Sequence, residues 1–335
     1  EYEANLAVRE SNAETWSQAP LQNRVVDTST NKIDISGFAG RTEFTLASGA
    51  NNAIDFTNTG DYAQGSDAGL PAGNSPRTME AWVKTTTSGS NMSIVEYGQV
   101  NTNLRSALLI VGGRPYFAGE WNDLAGTISV SDGNWHHVAA TFDSDSLRLF
   151  VDGVQDVVQA KTLSTALNYL RIGMRGNNTT EQFIGSIDEI RIWDRALCVD
   201  ELSFNKNCES PGNNNGLLRY FDFNQGSAGS TNTGLDSIID LSANGETATL
   251  FNFSNTGSTG NWVAGSDSVA GSCGSFAAPA ISIAISSNNI SNVGGSDGNA
   301  KVVASGGNSY TYLWSNAATT DSIFGLSAGT YYVTF

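Results

Sequence analysis

The 335-residue sequence has few basic side chains, two histidines and three cysteines, and these shortages narrow the classes of function. Its 17 Lys and Arg stand against 33 Asp and Glu, which gives a formal net charge of −16. Nucleic acids and anionic membrane surfaces attract cationic side chains, so this charge argues against both as partners. The negative charge is compatible with neutral sugars and divalent cations as ligands. The alternative is that it serves only to keep an exported protein in solution.

Long hydrophobic runs are also missing. No apolar run approaches the length of about 20 residues that a helix needs to cross a bilayer, so we expect no insertion into a membrane. The two histidines, His136 and His137, are adjacent, and adjacent strand residues project to opposite faces. A zinc site is therefore not expected. The chain begins without Met and ends at Phe335 within a predicted strand, so we expect a processed or partial segment.

The cysteines are Cys198, Cys208 and Cys273. The first two bracket a short helix-like stretch, and a Cys198–Cys208 disulfide would close a small loop in an oxidising compartment. This pairing is the one we predict. Free, buried thiols and a bridge between Cys208 and Cys273 are the alternatives.

The abundant residues are those of turns. The 36 glycines and many Ser, Thr and Asn are typical of an all-β protein with short strands. The clearest strand pair lies between residues 135 and 151, where Val138, Ala140 and Phe142 share one face and Leu147 and Leu149 alternate with other residues. The spacing predicts a β-hairpin with its turn at 143–146.

Laminin-G-like, or concanavalin A-like, jelly-roll domains have a central hairpin that residues 132–153, DGNWHHVAATFDSDSLRLFVDG, closely resemble. Residues 78–84 resemble an early strand of the family, and 170–173 and 183–197 resemble its later strands, in the same order. The resemblance covers roughly residues 50–205 and continues more weakly to about 265. It implies an all-β fold, a two-sheet antiparallel jelly-roll sandwich.

A different pattern follows a passage rich in Gly, Ser and Ala. The final 57 residues resemble the SprB-type repeat of gliding-motility adhesins of the Bacteroidetes, through a Gly-Gly pair at 306–307, the Trp-Ser at 314–315 and LSAGTY at 326–331. This resemblance implies a partial immunoglobulin-like β module on a cell-surface protein exported by type IX secretion.

Together these patterns predict four segments. They are an N-terminal arm or end of a preceding domain at 1–48, a laminin-G-like jelly roll with a C-terminal extension at 49–265, a linker at 266–279 and a partial adhesin repeat at 280–335.

Catalysis is not expected. Laminarinase-like glycoside hydrolases share this class of jelly roll and carry a Glu-x-Asp-x-x-Glu strand, which places two carboxylates on one face for acid/base and nucleophilic roles. No Glu in this chain is followed two residues later by Asp. Asp188 and Glu189 are adjacent, so their side chains are expected on opposite faces. The sequence also lacks a recognisable motif for a nucleophilic Ser or Cys.

Calcium is the cofactor that the jelly-roll resemblance implies, on the rim or convex side of the sandwich. Carboxylate and carbonyl oxygens are the ligands that Ca²⁺ selects. Asp61, in the loop after the first strand, and Asp188, in the closing strand, are the candidate ligands. The alternative is that these carboxylates are satisfied by Arg191, Arg195 or turn amides.

Sugar binding would use exposed aromatic rings, whose faces pack on the C–H groups of pyranoses, with polar neighbours that fix orientation. Trp121 lies in a predicted loop and is the best candidate, with Asn122 and Asp123 beside it. The next candidates are Arg105, Tyr116 and Tyr97. Trp82, Trp135 and Trp193 occur in strand motifs and are predicted to belong to the core.

The expected function is therefore that of a non-catalytic segment of a secreted adhesin on the cell surface, outside the outer membrane. Its jelly roll would bind polysaccharide or another surface, and its partners would include neighbouring domains of the same large protein and the secretion machinery. One alternative is a purely structural spacer of a long surface filament. Another is an accessory binding module of a polysaccharide-degrading enzyme.

Overall fold

In the computed structural model, the described residues are 51–176, 180–269, 271–273, 282–305 and 311–334, together with the backbone of five strands before residue 48. The chain divides into two compact units, Glu1–Ser275 and Phe276–Phe335. The first five strands are β1 (Asn5–Arg9), β2 (Ser17–Gln18), β3 (Arg24–Asp27), β4 (Lys32–Ile35) and β5 (Glu43–Ala47). They form a three-stranded antiparallel sheet in the order β2-β1-β5 and a separate hairpin of β3 with β4.

The rest of the first unit is built almost entirely of short strands. They are β6 (Asn52–Asp55), β7 (Tyr62–Gly65), β8 (Arg77–Lys84), β9 (Asn91–Gly98), β10 (Arg105–Val111), β11 (Arg114–Ala118), β12 (Leu124–Ala125), β13 (Trp135–Phe142), β14 (Ser146–Val151), β15 (Val154–Ala160), β16 (Leu170–Ile172), β17 (Ser186–Trp193), β18 (Leu217–Phe221), β19 (Ser237–Ile238), β20 (Ala248–Phe251) and β21 (Trp262–Ala264). A short helix, α1 (Val199–Asn205), follows β17.

These strands form two antiparallel sheets. Sheet A has the order β12-β11-β10-β9-β16-β7-β20-β19, and sheet B has the order β15-β14-β13-β8-β17-β6-β21, with β18 also paired to β17. Inward-facing apolar side chains from both sheets form one core, with Leu108 and Phe117 from sheet A and Val138, Leu149 and Ile190 from sheet B. The predicted two-sheet jelly-roll sandwich is confirmed. Each fully buried side chain of this kind contributes roughly 1.5–3 kcal/mol, so the shared core holds the sheets together.

The predicted hairpin is strands β13 and β14. Val138 pairs with Val151 and Ala140 with Leu149, and all four side chains point into the core. The Asp143 carboxylate accepts hydrogen bonds from the main-chain N–H groups at the tip, including that of Ser146 at 2.7 Å. A carboxylate that binds its own turn in this way fixes the loop, so the short polar residues there specify the register.

A second, smaller cluster covers the outer face of sheet B. Trp193, 1% exposed, packs there with Phe150, Tyr220 and Leu202 of α1. Trp82 is also buried, and its indole N–H donates to the main-chain oxygen of Lys206 at 2.7 Å. The core assignment of these two tryptophans holds. The third one named above, Trp135, is half-buried at the start of β13.

The disulfide joins Cys208 to Cys273, so the predicted bridge between Cys198 and Cys208 is wrong. Cys198 is free and exposed, and it precedes the first residue of α1. The long-range pairing arises because β21 returns the chain to the edge of sheet B. There the Cys273 N–H donates to the Glu209 main-chain oxygen at 2.7 Å, which places the two sulfur atoms side by side.

The second unit has five strands among its described residues, 282–305 and 311–334. They are β22 (Ser282–Asn288), β23 (Gly298–Ser305), β24 (Leu313–Trp314), β25 (Ser322–Leu326) and β26 (Val333–Thr334), arranged as a β22-β23-β25 sheet and a β24-β26 pair. Trp314, Val302 and Ile323 form its core. The Gly-Gly pair at 306–307 and half of the predicted linker, residues 270 and 274–279, lie outside the described residues. No helix in the described part of the chain is long and apolar enough to span a membrane.

Candidate functional site

Among the described residues of the first unit, the loop that follows β11, residues 119–123, presents the most exposed aromatic ring. It is that of Trp121, whose side chain is 88% exposed. Its backbone φ is 72°, and that of Glu120 is 55°. Positive φ values at two successive residues other than glycine are unusual. The resulting backbone strain persists only where surrounding contacts enforce the conformation.

Contacts on both sides of Trp121 enforce this conformation. The Gly119 N–H donates to the Asp123 carboxylate at 2.9 Å, and the Asn122 amide donates to the Asn103 side chain and to the Thr162 main chain, each at 2.8 Å. Asn122 and Asp123, which the sequence suggested as ligand contacts, therefore hold the loop. Trp121 is the residue that the loop presents.

An open cleft of about 200 Å³ lies beside this loop, on the outer face of sheet A. Leu109 and Ala118 belong to a small apolar cluster on that face, against which Tyr116 packs. Burial and the negative charge of Asp123 raise the pKa of the Tyr116 hydroxyl to about 12, so it remains a hydrogen-bond donor at neutral pH. The lining is completed by Asn91, Arg105, Val111, Glu120, Trp121, Asp123, Arg175 and Glu181.

Two arginines and three glutamates form an ion-pair network at the base of the cleft. Arg105 binds the carboxylates of Glu120 and Glu181 at 2.8 Å each, and it also binds Glu96 directly behind it. Arg175 binds Glu181 at 2.6 Å and Glu120 at 3.0 Å. Burial opposes the charged form of Arg105, but the charges of Glu96 and Glu181 raise its pKa above the ordinary value. Burial raises the pKa of Glu96 as well, although Arg105 opposes that effect.

This network decides the role of Arg105, which the sequence placed among the ligand contacts. Its side chain lies in the cleft wall but is only 1% exposed, and the carboxylates occupy its terminal nitrogens. Arg105 therefore holds Glu120 and Glu181 in place in the wall of the cleft. Sequence reasoning missed Glu120, Arg175 and Glu181. Glu120 lies in the loop after β11, whereas Arg175 and Glu181 lie in the connection between β16 and β17, and local sequence patterns carry no information on that juxtaposition.

Tyr97 is not in the site, and its assignment as a ligand contact is wrong. Its ring is fully buried in the main core. Its hydroxyl donates to the Pro71 main-chain oxygen at 3.2 Å and accepts a hydrogen bond from Arg77 at 3.1 Å. Tyr97 faces inward along β9, so the hydroxyl is satisfied within the sandwich.

Asp188 was predicted as a calcium ligand, and its surroundings fit a hard cation. The carboxylate is fully buried, and its Oδ2 accepts the Ser266 N–H at 3.2 Å. The Asn51 side-chain oxygen is buried without a hydrogen-bond donor. A Cβ at Gly265 would lie 2.6 Å from Asp188 Oδ2 and 2.8 Å from Asn51 Oδ1, so two acceptor oxygens converge there. Ca²⁺ is bound by several oxygen atoms, so converging acceptor oxygens that lack hydrogen-bond donors suit this ion.

The alternative, in which a guanidinium satisfies Asp188, does not hold. Arg191 pairs with Glu189, and Arg195 pairs with Glu201. Burial first, and the charge of Glu189 second, raise the pKa of Asp188 well above its ordinary value. Main-chain amides of Glu189 and Ser266 are its hydrogen-bond donors, so the carboxylate is only partly compensated.

Asp61, the other predicted calcium ligand, is a separate candidate. Its Oδ2 accepts the Asn58 N–H at 3.1 Å, whereas its Oδ1 is buried with no donor. Burial first, with a contribution from Asp55, raises its pKa to about 7 despite the Asn58 hydrogen bond. Asp61 lies beside Gly260 and Asp188 beside Gly265, at opposite ends of β21, so each carboxylate would belong to a site of its own. Within the described ranges, no three His, Cys, Asp or Glu side chains cluster as metal ligands, so amide and main-chain oxygens would complete either site.

Comparison with known proteins agrees with this architecture. Residues 56–203 match the family model of the concanavalin A-like lectin/glucanases superfamily. The match begins just after β6 and ends within α1, so it covers the central part of the concanavalin A-like domain and includes the Trp121 loop, the cleft, Asp61 and Asp188. The β13–β14 hairpin also lies within it.

Among curated proteins, the chain is similar to the Sushi, von Willebrand factor type A, EGF and pentraxin domain-containing protein 1 of Rattus norvegicus. The identity is 29% over 124 residues, which is 33% of this chain and 4% of that protein. The chain therefore spans only a small part of the length of this relative.

Two solved structures are similar to the concanavalin A-like domain at low identity. A candidate carbohydrate-binding protein from Bacteroides ovatus has a TM-score of 0.47 and 20% identity, covering 65% of this chain and 63% of that one. The CBM40 of the Ruminococcus gnavus IT-sialidase, bound to α2,3-sialyllactose, has a TM-score of 0.37 and 18% identity, covering 45% and 94%.

Proposed function

We propose that the concanavalin A-like domain is a non-catalytic glycan-binding module whose ligand stacks on Trp121 and extends over the adjacent cleft. The observation that carries the proposal is an indole 88% exposed to solvent and held at the rim of a polar cleft by a strained, well-fixed loop. An exposed ring gains most by covering its apolar face, and a pyranose offers a flat C–H surface with hydroxyls for the neighbouring polar groups.

The cleft is suited to binding and not to hydrolysis. Glycosidases use two carboxyl groups, one of which must deliver a proton to the leaving oxygen. Glu120 and Glu181 are each bound by two guanidiniums, and Asp123 is engaged by the Gly119 N–H. No carboxyl group among the cleft residues described above is free to transfer a proton.

The parent protein is a secreted surface adhesin in this proposal, with attachment or gliding motility as its role. The adhesin-like pattern of residues 280–335 supports this assignment, since such repeats project a binding domain from the cell. The Cys208–Cys273 disulfide supports an oxidising, extracellular compartment, because disulfides are rare where thiols are kept reduced. Neighbouring domains and the type IX machinery would be its further partners.

Calcium is the cofactor of the same proposal. Asp188 with Asn51 would hold one ion and Asp61 would hold the other, through carboxylate, amide and main-chain oxygens. Both sites are buried, so calcium would stabilise the sandwich and would not contact the glycan at Trp121.

The test is a glycan array followed by titration of the best oligosaccharide, with wild type, Trp121→Ala and Tyr332→Ala. Tyr332 lies in the second unit and is 72% exposed, so it controls for the loss of any surface aromatic ring. We expect Trp121→Ala to weaken binding at least tenfold, which corresponds to about 1.4 kcal/mol, with an unchanged melting temperature. Tyr332→Ala should bind like wild type.

Three results would contradict the proposal. Full affinity in Trp121→Ala would place the site elsewhere. Failure of every immobilised glycan to bind would overturn the binding function and favour a structural spacer. Release of new reducing ends from a bound oligosaccharide would show catalysis.

A further inference from the structure

The charged groups of the cleft restrict which glycans it accepts. Three carboxylates, those of Glu120, Asp123 and Glu181, line it together with two guanidiniums, those of Arg105 and Arg175. The side chains that line the cleft therefore carry a net charge of −1. Glu96, which lies behind Arg105, is not included in this sum. The whole chain carries a formal charge of −16, so the surrounding field has the same sign.

The positive charges of the two guanidiniums are already offset by bound glutamates, although the side chain of Arg175 is 21% exposed. Both terminal nitrogens of Arg105 donate to glutamates, and so do both terminal nitrogens of Arg175. The remaining Nε atoms of the two arginines are buried, so a ligand cannot reach them. An acidic sugar that approached Arg175 would have to compete with the carboxylates of Glu120 and Glu181 for the same positive charge, and it would place a third carboxylate beside these two, which is unfavourable.

The glutamates can still serve an uncharged ligand. The side chains of Glu120 and Glu181 are 16% and 12% exposed, and a carboxylate has about four acceptor sites, more than the two guanidiniums occupy. Carboxylates accept hydrogen bonds from sugar hydroxyls, whereas they repel a sugar carboxylate. Lys161 lies nearby and keeps its positive charge, since its ammonium group donates to the neutral main-chain oxygen of Asp123, at 2.8 Å. That charge offsets one acid, and Glu96 behind Arg105 keeps the group of charged side chains negative.

We propose that this cleft selects uncharged glycans and rejects those that carry sialic or uronic acids. The inference rests on the proposed glycan-binding function and names the ligand class of the same site. The guanidiniums act as internal counter-ions that keep three glutamates ordered at the cleft. The ordered glutamates then present acceptors to hydroxyl groups and a repulsive charge to anions.

The experiment compares matched pairs of ligands that differ by one acidic group. Lactose and 3′-sialyllactose form one pair, and galactotriose and trigalacturonic acid form another, with array glycans added as uncharged and acidic pairs. Affinity is measured with the full chain at about 50 mM and about 500 mM salt. In any pair that binds, we expect the uncharged member to bind at least about tenfold more tightly at low salt, and the difference to narrow at high salt because exposed charges are screened.

A variant pair tests the assigned residues. In Glu181→Gln, one repulsive charge is lost and the two arginines gain a neutral neighbour, so the preference for the uncharged member should fall by about threefold or more. Asp200→Asn is the matched control, because Asp200 lies on α1, which packs against the outer face of sheet B. It removes one acidic charge and should leave the preference unchanged. Thermal unfolding of both variants verifies that they are folded.

The outcomes separate the two proposals. Equal or tighter binding of the acidic members would overturn the charge selection and leave glycan binding intact. An unchanged preference in folded Glu181→Gln would also overturn it. If no member of any pair binds, the glycan-binding function itself fails.

Discussion

Cys208 and Cys273, which are 65 residues apart in the sequence, form a disulfide with their Cα atoms 5.0 Å apart. The bridge ties the segment after α1 to the chain that leaves β21. Arg191 of the central strand β17 supports the same segment, since its guanidinium donates to the Cys208 main-chain oxygen at 2.6 Å. One covalent bond and one buried cation thus fasten the final segment of the first unit to sheet B.

Loss of the disulfide should destabilise the first unit strongly. A cross-link of this span restricts the unfolded chain by an entropy worth about 4 kcal/mol in the simple loop model. We expect the double variant Cys208→Ser, Cys273→Ser to unfold at a clearly lower temperature, as should wild type in reductant. Cys198→Ser is the control, because that thiol is free and exposed. Equal melting temperatures for the double variant and the control would show that the bridge does not stabilise the fold.

Removal of calcium should also lower the melting temperature. An ion at about one hundred times its dissociation constant stabilises the native state by about 2.7 kcal/mol. We expect chelator to lower the transition of the first unit by several degrees and excess Ca²⁺ to restore it. Asp188→Asn and Asp61→Asn, each titrated separately, should identify which site responds. If chelator has no effect on unfolding of wild type, calcium is not part of this fold.

The hairpin should contribute a small pH dependence through His136. Its ring nitrogens contact Asp152 at 2.9 Å and Asp132 at 3.2 Å. Partial burial opposes the imidazolium, but the hydrogen bonds and charges of these carboxylates raise the pKa of His136 above 6.5. Because the pKa of His136 is higher in the folded state than in the unfolded state, its contribution to stability is complete below the unfolded-state pKa. That contribution is lost as the pH rises through the folded-state pKa.

His136→Gln should therefore destabilise the protein more at pH 5.5 than at pH 8.5. The difference should stay below about 1 kcal/mol, because the site is partly exposed and screened. Chemical denaturation at several pH values measures it. A larger loss at pH 8.5 would give the opposite sign and exclude this explanation.

Trp193→Phe should destabilise the fold through a lost hydrogen bond. The Trp193 indole N–H donates to Glu80 at 2.8 Å, and Glu80 is fully buried with His137 on its other oxygen at 3.0 Å. Removing a donor from a buried charged group costs about 1.5–3 kcal/mol. Trp121→Phe is the control, because its exposed indole has no such partner. Denaturant unfolding of both variants distinguishes them, and equal stability would refute the role of the Glu80 contact.

The strands of the jelly roll could be predicted because their signals are local. In the hairpin β13–β14, alternation placed Val138, Ala140 and Phe142 together on the face that enters the main core, although β13 is buried on both faces from His137 onward. The exposure of Trp121 was also predictable, since Gly, Asn and Asp around it indicate a loop.

Other features depend on contacts between distant segments. The residues of β9 from Met92 to Gly98 are buried on both faces, so its pattern could not show that Tyr97 points inward. The pairing of three cysteines depends on where β21 returns, which no spacing encodes. A bulge at Glu189, where φ is 52°, interrupts simple alternation in β17. Burial first, and the charge of Glu189 second, raise the pKa of Asp188, so two adjacent carboxylates that were expected on opposite faces influence each other.

Strand β6 (Asn52–Asp55) lies between β17 and β21 in sheet B, so the first and last strands of the jelly roll pair with each other. A recombinant fragment cut to residues 56–203 would omit both β6 and β21, together with Cys208, Cys273 and Asn51. Such a fragment would expose the flank of β17 and invite association with other chains. Expression of this domain for binding work should therefore extend from before Asn51 to beyond Cys273.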